Sequence, residues 1–71
     1  METYLARADR VIAGAEAVIA GQRRQLGRLR AGRDAAALRE AKAALALMLR
    51  HLDVLRSNRR LVEEQIKRPM S

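Results

Sequence analysis

Thirteen arginines and one histidine supply most of the side chains with which this 71-residue chain could do chemistry. Guanidinium is a fixed fork of donors that matches phosphate or carboxylate two bonds at a time, so arginines gathered in sequence point to anion binding. One group surrounds a glycine-containing break in the middle of the chain: Arg23, Arg24, Arg28, Arg30, Arg33 and Arg39. A second gathers toward the two chain ends: Arg7, Arg10, Arg56, Arg59, Arg60, Lys67 and Arg68. We take Arg23, Arg24, Arg28, Arg30 and Arg33 as the candidate anion-binding set. The net charge of +7 implies a partner of opposite sign, an acidic protein or nucleic acid, or an anionic membrane. The same alanine-plus-arginine bias also follows from GC-rich codon usage, so charge alone singles out no partner.

Catalytic chemistry finds little to work with. There is no cysteine, which excludes disulfides and thiolate ligands, and His51 stands alone, without a second imidazole to build a metal site. No Ser/His/Asp set is complete. Gly14 and Gly21 fall inside a helical pattern rather than after a strand, so they form no phosphate loop. The expectation is a protein that is not an enzyme and has no metal, cofactor or small-molecule substrate. His51 borders an apolar arc and is expected to be a partly buried packing residue. Tyr4 is the only aromatic residue, leaving no stacking platform for single-stranded nucleic acid, and the absence of Trp and Phe makes membrane binding the weaker alternative.

The elements that must position these groups are legible from a heptad. Val11-Ile12-Ala13-Gly14 recurs seven residues later as Val18-Ile19-Ala20-Gly21. Leu5, Ile12, Ile19 and Leu26 stand seven apart, with Ala8, Ala15, Gln22 and Leu29 three residues after each, as in the seam of a helix that packs on another. Tyr4, Val11, Val18 and Gln25 precede the first row and widen the apolar face. Gln22 on the seam is expected to pin the register, because a buried amide must find a partner. Small residues such as Ala13, Gly14, Ala17, Ala20 and Gly21 leave the outer side of this helix almost bare.

Thr3 can cap the first helix, and Asp34 the second. Gly32 suits the left-handed position just past a helix end. The second helix carries Leu38, Leu45, Leu52, Arg59 and Ile66, with Ala41, Met48, Leu55 and Val62 three residues on. Arg59 interrupts that row and is expected to keep its head in water. Beside it runs another apolar row: Leu47, Val54 and Leu61. Ser57-Asn58 are weak helix formers, yet the pattern crosses them. Glu63–Lys67 and Glu64–Arg68 are acid-before-base pairs four apart. Pro69 should end the helix, and Met70-Ser71 should fray.

A link this short makes the two helices antiparallel. The expected fold is all-α: a single hairpin domain over 1–71, with helix one at about 3–31, a turn at 32–34 and helix two at about 35–67. One hairpin cannot cover the second row, and burying three such aliphatic side chains contributes roughly 1.5 to 3 kcal/mol each. A homodimer forming a four-helix bundle is therefore expected, with Leu47, Val54 and Leu61 at the interface over a seam of Ile12, Ile19, Leu45 and Leu52. No secretory signal or membrane-spanning run is visible, so a cytoplasmic location is expected.

The pattern Asp9-Arg10-Val11-Ile12, then Glu16, Ile19 and Gln22, then Leu29, Gly32 and Asp34, then Arg60-Leu61, resembles a group of short uncharacterised bacterial proteins. These have an arginine-rich first helix, a Gly-x-Asp turn and a leucine-rich second helix. The resemblance implies a helical hairpin and no particular activity, and it gives His51 no role. The architecture is also similar to that of the Rop family, dimeric hairpin bundles that bind RNA, but no Rop motif is matched, so that likeness is one of fold alone.

Overall fold

The structure, a computed structural model, describes residues 2–67. Two helices account for nearly all of them: α1, Tyr4–Ala31, and α2, Ala35–Lys67. They pack against each other as an antiparallel hairpin, as the heptads require. The expected Glu64–Arg68 pair, the stop at Pro69 and the fraying of Met70-Ser71 fall outside the described residues.

Local chemistry sets the boundaries. The Ala6 N–H donates to the Thr3 hydroxyl at 3.1 Å, and the Ala37 N–H donates to the Asp34 carboxylate at 3.0 Å. Each side chain thereby satisfies a first-turn donor that has no helical acceptor. Asp34 also sets a negative charge at the positive end of the α2 dipole, and Arg28 and Arg30 sit at the negative end of α1. The expectation for Gly32 needs correcting. Its φ of −90° and ψ of −177° are extended, not left-handed. Its N–H donates to the Leu29 carbonyl at 3.1 Å, closing the helix with a tight turn. The chain then leaves extended, because Asp34, two residues later, must already cap α2.

The core is one strip. Ile12, Ile19 and Leu52 are buried together, with Ala15, Leu45, Met48, Leu49 and Leu55 packed around them; Leu26 and Ala41 are buried toward the loop. Ile66, last of the α2 row, is exposed because α1 begins too late to reach it. α2 continues through Ser57-Asn58 without a break. The result is a rod measuring 61 × 22 × 12 Å, one helix thick. Its radius of gyration is 16.9 Å, against about 11 Å for a compact chain of this length. No large side chain among the described residues is fully buried.

Candidate functional site

Because the rod is one helix thick, α1 and α2 show two broad faces, and these differ. One face is apolar. It holds two shallow grooves end to end. Tyr4, Ala8, Val11, Leu55 and Asn58 line the first, with Arg7 at its rim. Gly14, Ala15, Val18, Met48 and His51 line the second. Leu47 and Val54 sit four residues before His51 and Asn58, and Leu61 three after Asn58, each one turn along and further round α2 toward its outer edge. They flank this same face. Fractional exposure is 56% for Tyr4, 48% for Val11 and 58% for Val18; it is 65%, 55% and 57% for Leu47, Val54 and Leu61. Six large apolar side chains on two helices thus remain in water.

The opposite face is polar and held by charge. Its groove is lined by Glu16, Ala20, Arg23, Leu49 and Arg56 beside the core residues Ile19 and Leu52. Arg56 meets Glu16 across the helices at 3.6 Å. Arg59 is half-buried and bonds Asp9 on α1 and Glu63 on its own helix. Its head stays at the surface, as the interrupted row implies, and there, level with Asp9, it also clamps the two helices together. Hydrogen bonds first from Lys67 and then from Arg59 hold the Glu63 carboxyl below the usual range, and donating to Asp9 and then to Glu63 raises Arg59 further.

The candidate interface residues divide into two groups. Ile12, Ile19 and Leu52 are consumed in the hairpin's own core, and Leu45 packs against them. Leu47, Val54 and Leu61 are exposed and take no part in that core. Tyr4, Val11 and Val18 are exposed like them; their seven-residue spacing marks a wide helix face, and they line the two grooves beside Met48, Leu55 and His51. Leu49 had no such signal, because its heptad equivalents are Lys42 and Arg56. His51 is exposed rather than partly buried: one residue before the buried Leu52, it is turned about 100° away from the seam, onto the rim of the groove. Gln22 donates from its amide to the Ala41 carbonyl at 3.4 Å, a contact too long to pin the register strongly.

The candidate anion-binding residues Arg23, Arg24, Arg28, Arg30 and Arg33 are all exposed, at the loop end. Residues 20–46 contain seven basic and two acidic side chains, a local charge of +5. Among the described residues, no cation in this half forms a salt bridge. Every ion pair lies in the open half: Arg7 and Arg10 with Glu2, Arg56 with Glu16, Arg59 with Asp9 and Glu63, and Lys67 with Glu63.

Among the described residues, no three His, Asp or Glu side chains converge as a metal site would need, and no helix is long and apolar enough to cross a membrane. No protein-family model matches the chain, and no curated protein or solved structure matches it either.

Proposed function

We propose that this protein is a non-enzymatic interaction module, a hairpin that pairs with a copy of itself into a four-helix bundle and serves as an adaptor. The single observation that carries this reading is the exposure of two heptad rows, Tyr4, Val11 and Val18 on α1 and Leu47, Val54 and Leu61 on α2. The area supports it. The chain exposes 5933 Å², roughly 1,500 Å² more than the ~4,450 Å² expected of a compact monomer of 8.0 kDa. A stable interface buries about 800 Å² per partner, so one self-pairing uses surface that the chain has in surplus. Sedimentation equilibrium at micromolar concentration tests this. A dimer is expected for the parent chain and for Ser57→Glu, and a monomer for Val54→Glu, which would bury an unpaired carboxylate. A parent chain that stays a folded monomer overturns it.

A second reading is supported by the unpaired arginines: the loop end holds phosphate oxygens of a nucleic-acid backbone. Arg23, Arg24, Arg28, Arg30 and Arg33 are exposed, and among the described residues no carboxylate pairs with them. Such contacts release counterions, so affinity for an RNA or DNA oligonucleotide should fall steeply between low and physiological salt. Binding indifferent to salt, or unchanged in Arg23→Ala/Arg30→Ala, excludes it.

A further inference from the structure

The apolar face does not run the full length of the rod. On α1 it spans Tyr4 to Val18 and then gives way to Gln22 and Gln25; on α2 it spans Leu61 to Leu47 and then gives way to Glu40. The groove residues fix the relative height of the helices: Ile12 lies level with Leu55, and Ile19 with Met48. Val11, the middle of the α1 row, and Val54, the middle of the α2 row, therefore stand within about 3 Å of the same height, at 1.5 Å per residue. Each row is thus symmetric about nearly the same level of the rod. That level is well off its centre, toward the open end.

We infer that the second copy docks on this face with its loop pointing the opposite way, about a two-fold axis that crosses the rod at the height of Val11 and Val54. This rests on the self-pairing proposed above and specifies its geometry. The axis returns each row to itself. Tyr4 meets Val18 of the second copy, Val11 meets Val11, Leu47 meets Leu61 and Val54 meets Val54. It also sets His51 against Asn58 of the second copy, so that the two polar side chains in the grooves meet each other. The open halves overlap, and both loop ends extend past the overlap into water.

Charge selects this arrangement over its rival. A two-fold axis along the rod would also cover the rows, α1 on α2, because their heights coincide. It would, however, bring the two loop ends, each with a local charge of +5, side by side. Packed helices lie about 8–10 Å apart, and charges are screened over about 8 Å at physiological salt, so that repulsion would be felt. The crossing axis separates the loop ends by about 60 Å at the helical rise, many screening lengths. The overlapping halves, with their acids and arginines largely paired, carry little net charge.

The chain has no cysteine, so single cysteines report contacts cleanly. With a short bis-maleimide linker, Val11→Cys alone and Val54→Cys alone should each give covalent dimers. If neither links to itself but an equimolar mixture of the two links, the axis runs along the rod and the proposed geometry is wrong. Spin labels at Ala36→Cys, off the face near the loop, give a second readout. A separation of roughly 55–60 Å is expected from the helical rise; a separation below about half that overturns the arrangement. The unlabelled parent chain is sedimented in parallel: if it is monomeric, self-pairing itself fails, whereas a dimer with the wrong links or distance rejects only the geometry.

Discussion

The two halves of the hairpin solve opposite problems. In the open half, acids are interleaved with arginines and answer them across and along the helices; Glu2, Asp9, Glu16 and Glu63 all bridge to basic side chains. The same half carries every exposed aliphatic row. In the loop half the acids are almost gone, the face turns to Gln22, Gln25 and Glu40, and the arginines stand without intramolecular partners among the described residues. Charge is largely paired where the exposed apolar rows lie and left unpaired where they do not. Desolvating an unpaired charge is expensive, whereas an exposed one costs little in high-dielectric water.

The largest test of this contrast is a core truncation in each half. Leu52→Ala should lose about 2–5 kcal/mol, the range for buried leucines. Leu38→Ala, only half-buried in the loop half, should lose clearly less. Denaturation followed by circular dichroism must be run at one fixed concentration, since pairing would couple stability to concentration. Equal losses would mean that the halves are packed alike.

Next in size is the charge insertion. Val54→Glu should weaken self-association by at least ~30-fold, the equivalent of about 2 kcal/mol, in line with the burial of one such side chain. Arg28→Glu in the loop half should leave association unchanged. If both behave alike, the covered surface is not confined to the open half.

The glycines give a smaller and sharper comparison. A Cβ at Gly14 or at Gly27 would meet nothing within 4 Å in the hairpin itself. Alanine should therefore stabilise the helix at either position by up to about 1 kcal/mol. Gly27→Ala in the loop half is the reference. If Gly14→Ala stabilises less, or weakens the proposed self-association, a second helix approaches α1 there.

The smallest effect is on pH dependence. The folded-state pKa of Glu63 is lowered by Lys67 and Arg59. Its contribution is complete above the ordinary glutamate range and is lost as pH falls through the lowered folded value. Between pH 5 and pH 3 the melting temperature should drop slightly more for the parent chain than for Glu63→Gln. Identical pH profiles would show that this ion pair contributes nothing to stability.

Sequence alone determined the helices, their caps and their antiparallel pairing, because these depend on local spacing. A seven-residue repeat, a short link and capping residues such as Thr3 and Asp34 act within a few positions of themselves. It also marked Leu47, Val54 and Leu61 as a surplus row. What it could not supply was how the two rods are turned and matched in height. Only their packing showed that Tyr4, Val11 and Val18 line grooves with Met48, Leu55 and His51, that His51 is exposed, and that Arg59 reaches Asp9 fifty positions away. Likewise, the extended Gly32 follows from how soon the chain must cap the returning helix. Such relations join residues distant in sequence, and periodicity within one helix carries no information about which height of its neighbour will face it.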